Sequence, residues 1–406
     1  MPAVNPPAPP LYTRAFWLAC ALHFTGALSH AMLVLLPLFV RRVGGDELVI
    51  GLLLGVGMAV SVALRPGIGA LLDRLGHKRV LWWSAAVNTL SLPLFCLVDR
   101  VGTPLFALST LHLVVGGALF AAYFTYAADL VPAGRRAEGI AIFGVAGMIP
   151  NGLGPALGEA MIARGGFPSF FLTAAGFALV SLGLTALVPT RPTRPARPHL
   201  PRGTARGRDV ARTLRRGGLP PVLLATVLFG VGVNAAFYFV APFTVDLGLA
   251  RAAPFFAAYA TTTVVLRVAG RRLPDRLGPH RIAVPAFGAF ALGLCILCLL
   301  PWSGALVVAG VACGAGHGSL FPVLNALAVE RTPARLHGTV VSLYTGALDL
   351  GGVLGTPLCG AVAYGLGYRP MFALTALTSL AGLMLMARDR RAARLFGERA
   401  CGLSHS

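Results

Sequence analysis

Long apolar stretches separated by short polar or basic breaks organise the whole chain. Runs of roughly 20 apolar residues, the length an α-helix needs to cross the hydrocarbon of a bilayer, lie at about 15–40, 47–71, 79–98, 103–128, 138–163, 167–189, 219–244, 252–273, 280–300, 303–328, 336–364 and 368–387. They predict an all-α integral membrane protein of twelve transmembrane helices, six in each half. The apolar positions run continuously instead of alternating, which argues against a membrane strand barrel. Helices satisfy their own backbone groups in lipid. The first run is too long for a signal-peptide core and follows only Arg14 and a Pro-rich stretch at 2–10, so it reads as a retained span.

The polar breaks carry an internal repeat. The segment from Arg65 through Asp73, Arg74 and Gly76 to Arg79 returns 202 residues later as Arg267 through Asp275, Arg276 and Gly278 to Arg281. A second match, at an offset of 201, relates Gly117–Ala121 and Asp129 to Gly318–Pro322 and Glu330. Such self-similarity marks a duplicated half, and paired repeats of membrane spans are a transporter arrangement. The expected division is an N-terminal tail at 1–14, a six-helix bundle at 15–189, a linker at 190–217, a second bundle at 218–388 and a tail at 389–406.

Composition fits the pattern: 56% hydrophobic and 12% charged residues with a mean hydropathy of +0.76 exceed what a soluble domain reaches. The formal charge of +20 matters through its placement. With the N-terminus inside, 28 of the 34 Lys and Arg fall on the cytoplasmic side, leaving only Arg41, Arg42, Arg100, Arg164, Arg251 and Arg369 elsewhere. The positive-inside rule then places both termini in the cytoplasm of a bacterial-style inner membrane. The linker holds nine Arg against one Asp, with prolines every third residue. It is expected to lie along anionic lipid headgroups, since it lacks the interleaved aromatics of a nucleic-acid binder. The seven cysteines imply no disulfide framework, and Cys295 and Cys298 read as packing residues. No metal-ligand cluster, cofactor motif or Walker loop is present, so neither an enzyme nor an ATP-driven pump is indicated.

A carboxylate at the end of a helix, flanked by arginines, can pair with them and cap a neighbouring helix N-terminus, latching two helix ends together. The run Gly69-Ala-Leu-Leu-Asp73-Arg74-Leu-Gly76-His77-Lys78-Arg79 resembles the GxLaDrxGrk signature that lies between helices two and three in the major facilitator superfamily. The resemblance covers the whole chain: twelve spans, a basic central linker, and a second copy altered at Arg271 and Pro274. It implies two pseudo-symmetric bundles that alternate access. It also implies a cytoplasmic gate in which Asp73 meets the start of helix eleven near Leu336–Gly338 and Asp275 the start of helix five near Glu138. Arg65, Gly69, Arg74, Gly76, Arg79, Arg267, Arg276, Gly278 and Arg281 belong to that gate. Asp129 and Glu330, beside Arg135, Arg136, Arg331 and Arg335, are expected to complete its charge network.

Small residues let membrane helices approach and slide, and they collect on helices five and eleven. Gly154, Pro155 and Gly158 resemble the GPxxGG ending of the family's drug and proton antiporters, with Glu159 at the final glycine; Gly355, Pro357 and Gly360 are the counterpart. His112 stands where that branch carries an arginine linked to proton coupling, and an imidazole also exchanges protons near neutral pH. The remaining polar candidates for a substrate and proton path are His23, His30, Asn234, Tyr238, His317, Asn325 and Asp349. Of these, Asp349 is the first choice for a proton or a cationic group, because a carboxylate that deep needs a wet cavity or a partner. Glu159 is assigned to an outer gate. The sparse polar lining and the lack of a mid-span arginine point to an amphiphilic organic molecule. Proton-coupled efflux of such a drug or metabolite by a monomer is the expected function. Proton-coupled uptake and a non-transporting receptor or assembly factor are the alternatives.

Overall fold

A computed structural model of the chain describes residues 11–132, 135–189, 218–249, 251–270, 277–300, 302–333 and 336–402. Every described element is helical. Helices α1 (Arg14–Met32) and α2 (Leu36–Arg42) join through a 3-10 turn to make one crossing; Thr13 caps α1 by accepting the Phe16 N–H at 3.2 Å. The next crossings are α3 (Glu47–Leu75), α4 (His77–Ser91), which continues as a 3-10 helix over Leu92–Leu97, and α5 (Thr103–Leu130). Then come α6 (Arg136–Met148) and α7 (Pro150–Leu187). The later elements are α8 (Leu219–Tyr238), α9 (Val240–Asp246), α10 (Ala253–Ala269), α11 (Pro279–Leu299), α12 (Ala305–Glu330), α13 (His337–Leu366) and α14 (Tyr368–Gly402).

Ten of the described helical stretches are long and apolar enough to span a membrane, and Ala253–Ala269 is a shorter apolar helix. One stretch, Glu138–Leu187, has 50 residues, or about 75 Å at 1.5 Å per residue, and so supplies two crossings. The chain turns inside it at Gly165 and Gly166, where Gly166 takes a φ of +67°. The total is the twelve crossings of the apolar pattern. Large side chains face outward along them, among them Leu90, Leu97 and Leu366, which are 72%, 80% and 71% exposed; lipid solvates such a surface.

Two compact units are formed, one from residues 1–35 and 60–199, the other from 36–59 and 200–406. The aromatic core of the first includes Phe16, Tyr126 and Phe143. That of the second includes Phe229, Phe255, Phe287 and Tyr344, all fully buried. In the second unit the first half of α3 packs on α13, because Gly51 and Gly55 present no side chain there. A Cβ at those positions would lie 2.5 Å from Thr356 O and 2.4 Å from Pro357 Cγ.

The duplication is visible in hydrogen bonds. Ser61 Oγ donates to Leu113 O at 3.2 Å in the first unit, and Thr263 Oγ1 donates to Gly314 O at 3.0 Å in the second. The turns repeat as well: Gly76 and Gly278 precede α4 and α11 with φ of 79° and 80°. This left-handed region is open to glycine without penalty, which explains the glycine in both copies of the motif.

Candidate functional site

In the first copy of the repeated motif, Asp73, Arg74 and Arg79 are exposed and form no ion pair among the described residues. Arg65 and Arg281 are exposed, and nothing lies within 4 Å of a Cβ built on Gly69. Asp275 and Arg276 lie outside the described residues. Lys78 bridges elements: its Nζ donates to Val188 O at 2.7 Å and Ala186 O at 3.4 Å, closing the C-terminus of α7 with a cation as the helix dipole favours.

Asp129 lies 3.4 Å from His77 Nδ1, on α4. Arg135 pairs with Glu138 at 2.8 Å and stacks over Tyr12 at 5.3 Å. The Tyr12 hydroxyl donates to Glu138 Oε1 at 2.7 Å, which holds its pKa above the ordinary phenol value. In the second unit Glu330 is exposed, while Arg331 bonds to Asp389 and to His280 Nε2 at 3.1 Å. Asp389 belongs to α14, which continues beyond the apolar run that ends near 387.

Inside the first unit the candidate histidines find partners. His23 Nδ1 lies 3.1 Å from Phe143 O, and its ring fills the space left by Gly147. His30 Nδ1 lies 2.9 Å from His112 Nε2. Gly116, one turn along α5 from His112, makes room for this, since a Cβ there would come within 3.1 Å of His30 Cε1. The outer nitrogens of the pair, His30 Nε2 and His112 Nδ1, are buried and have no hydrogen-bond partner. The packing glycines serve the same helices: a Cβ on Gly154 would meet Ala31 at 2.7 Å, and one on Gly158 would meet Leu35 at 2.8 Å. Pro155 is buried beside them.

Inside the second unit, Tyr259, Thr263 and Arg267 follow one face of α10 at steps of four. The Tyr259 hydroxyl bonds to His317 Nδ1. The Phe229 ring meets the His317 ring edge-on at 5.4 Å. Arg267, grouped with the rim gate through its match to Arg65, is half-buried and sits 5.1 Å over the Phe321 ring. Its long side chain carries the charge inward from near the end of α10. Tyr344 donates to Phe321 O at 2.7 Å, and Asn325 Oδ1 is buried without a partner. Asn234 donates to Gly230 O of its own helix at 2.8 Å, and Tyr238 and Asp349 are half-buried. A Cβ on Gly355 would lie 3.0 Å from Val231 Cα and one on Gly360 2.5 Å from Glu47 O, with Pro357 on the same helix.

The far end of this unit holds an ion cluster that the sequence does not announce. Arg41 Nη1 donates to Asp246 Oδ1 at 2.5 Å and to Pro242 O at 3.2 Å. The Tyr368 hydroxyl donates to Glu47 Oε1 at 3.0 Å. A cavity of about 330 Å³ lies beside them, lined in part by Glu47, Phe243, Asp246 and Tyr368.

Comparison with known proteins places this architecture. The profile of the Major Facilitator Superfamily matches residues 16–305 and, a second time, 255–400. An uncharacterised MFS-type transporter of Pseudomonas aeruginosa strain UCBPP-PA14 is 28% identical over 380 residues, covering 89% of this chain and 90% of its own. Multidrug resistance protein MdtG of Serratia proteamaculans is 26% identical over 391 residues, covering 90% of each chain. Among solved structures, the nucleoside transporter NupG has a TM-score of 0.72 at 13% identity, covering 93% of this chain and 99% of its own, a likeness of fold. With the profile matched along most of its length and twelve crossings in place, the chain belongs to the Major Facilitator Superfamily of multi-pass membrane transporters.

Proposed function

We propose that the protein exports amphiphilic small molecules across a bacterial inner membrane, with both termini cytoplasmic, and that protons relayed by His30 and His112 drive the export. The contact between these two imidazoles carries the reading. A neutral imidazole has one N–H and one bare nitrogen. The 2.9 Å contact uses the N–H of one ring and the bare nitrogen of the other, so one outer nitrogen of the pair is bare and the other protonated. A proton that arrives at the bare outer nitrogen shifts the shared proton across the contact and releases one from the far ring. Both tautomers are reversed afterwards. The rings face each other and Gly116, and no described carboxylate pairs with either. A charged imidazolium is therefore poorly stabilised there and passes its proton on.

Export is supported by the relatives that carry the name multidrug resistance protein MdtG, of which the one from Dickeya zeae is 28% identical over 378 residues. An amphiphilic substrate is supported by aromatic side chains gathered within each unit, Phe120 beside Phe124 at 4.7 Å in the first and Phe237 beside Phe256 at 6.1 Å in the second.

The test uses everted membrane vesicles and a panel of anionic, neutral and cationic amphiphilic dyes. Acidifying the lumen should drive accumulation of at least one dye by the wild type. His30→Gln with His112→Gln should abolish the proton-driven part and retain dye-for-dye exchange. Normal proton-driven accumulation by the double variant removes the histidines from the coupling path, and accumulation only in right-side-out vesicles reverses the direction.

A further inference from the structure

We infer that the second unit holds a binding site for the anionic group of an amphiphilic monoanion, with Arg267 as its cation and the Phe321 ring as its floor. Calling that ligand a substrate rests on the transport reading above; the binding itself does not.

Three half-buried arginines of this unit can be compared. Arg41 has Asp246 and Arg331 has Asp389. Arg267 has neither: no described carboxylate lies within ion-pair distance of it, and its Nε is buried without an acceptor. The ring face of Phe321 at 5.1 Å attracts the cation on one side. It leaves the N–H fork, the geometry suited to a carboxylate or sulfonate, without an anion. A charge in the interior of a membrane bundle is retained where it meets a partner or a ligand. Among the described residues only the ligand is missing.

The surroundings define the ligand further. Phe321 lies nine residues from the end of α12 at Glu330, about 13 Å inward at 1.5 Å per residue, so the anion would enter the bundle and not rest at the rim. The Tyr259 and Tyr344 hydroxyls lie within electrostatic reach of the guanidinium, and Asn325, one turn from Phe321, has an unused carbonyl oxygen. Tyr344 already gives its proton to Phe321 O and Tyr259 is engaged with His317. The free strong donors are thus those of one arginine. One positive charge balances one negative charge, which favours a carboxylate or sulfonate over a doubly charged phosphate. The aromatic surroundings, in which Phe229 borders His317 at 5.4 Å and Phe237 borders Tyr259 at 5.2 Å, suit a flat or bulky apolar body.

The experiment measures binding to the full-length protein in detergent by calorimetry, with 1-naphthaleneacetate and its uncharged amide as matched probes. The acid should bind about tenfold or more tightly than the amide, as a charge-assisted bidentate contact provides. Arg267→Gln should equalise the two by weakening the acid alone, and Arg267→Lys should retain part of the preference. Should Arg267→Gln fail to fold, labelling of the wild type with phenylglyoxal decides: the acid, and not the amide, should protect Arg267 from modification. Equal affinity of acid and amide in the wild type overturns the site. So does an undiminished acid preference in Arg267→Gln, or modification of Arg267 that the acid leaves unchanged. Absence of flux alongside an Arg267-dependent acid preference would sink the transport reading and leave the site standing. Proton-driven flux without that preference would do the reverse.

Discussion

Replacing Gly314 by alanine should loosen the helix crossing on which the second unit is built, and its neighbours on α12 provide graded controls. Gly310, Gly314 and Gly318 face the backbone of α10 at steps of four. A Cβ would lie 2.4 Å from Phe255 O at Gly310, 2.4 Å from Tyr259 O at Gly314, and 3.2 Å from the nearest Thr263 atoms at Gly318. Carbon and oxygen rest comfortably beyond about 3.4 Å, so Gly314→Ala requires the helices to part by about 1 Å and Gly318→Ala by a few tenths. Overpacking of that kind costs about 1–3 kcal/mol, against about 1 kcal/mol of helix propensity gained over glycine. A parting of that size takes Gly314→Ala and Gly310→Ala to the upper half of the overpacking range, so they should be destabilised by roughly 1–2 kcal/mol net, and Gly318→Ala should be near neutral. Gly176 of α7 is exposed and has nothing within 4 Å of its Cβ, so Gly176→Ala should gain up to about 1 kcal/mol. Parting the helices at Gly314 also lengthens the 3.0 Å bond from Thr263 and displaces Tyr259 from His317. Reversible unfolding in mixed micelles of rising SDS fraction reads the order directly. A Gly314→Ala midpoint equal to the wild type, or a Gly318→Ala midpoint below it, would refute the packing argument.

Two further outcomes are expected from the same unfolding assay. Gly76→Ala and Gly278→Ala, at φ and ψ of 79° and 152° and of 80° and 142°, should each cost about 1–3 kcal/mol, and asparagine should bring no relief because that region admits essentially glycine alone; alanine tolerated at both would mean that the turns relax. Asp389→Asn leaves Arg331, 15% exposed at its side chain, without its carboxylate and should cost roughly 1.5–3 kcal/mol. Adding Arg331→Gln should recover part of that loss, whereas strictly additive losses would show that the two groups do not interact.

The crossings are legible in the sequence because the bilayer sets a length, and a run such as 103–128 has few other uses. The repeat is legible because Gly76 and Gly278 serve one backbone geometry that other residues resist. Partnerships across the bundle are not. His30 and His112 each stand out as polar groups in apolar runs, yet they lie 82 residues apart, and nothing in a linear pattern says that two helices bring two rings to one point. The fold also sets Asp129 against His77, 52 positions earlier, a contact that proximity along the chain does not suggest. The repeat puts Arg267 at the rim because its partner Arg65 belongs there. The four-residue steps Tyr259, Thr263, Arg267 are the available signal that its side chain shares an inward face. The last helix outruns its apolar stretch because helix formation needs neither lipid nor hydropathy, and the segment after 387 is rich in arginine and alanine, which are good helix formers.

Where the halves agree and where they differ separates packing from chemistry. The bonds Ser61 to Leu113 and Thr263 to Gly314 occupy matching places, because a helix crossing tolerates changes of only a few tenths of an ångström. Around them the residue types diverge. At the repeat offsets His112 corresponds to Cys313, His317 to Gly116 and Tyr259 to Gly57. The missing side chain at Gly116 provides the room that His30 occupies. Arg267 and Phe321 keep the types of Arg65 and Phe120, but Arg65 and Phe120 are exposed while the second pair is half-buried and stacked. A duplicated bundle starts with every group present twice in equivalent surroundings. Assigning proton relay to one half and anion capture to the other requires that symmetry to be broken at the groups involved. On the functions proposed here, substituting His112 should alter proton coupling without changing the preference for an anion, and substituting Arg267 should do the converse.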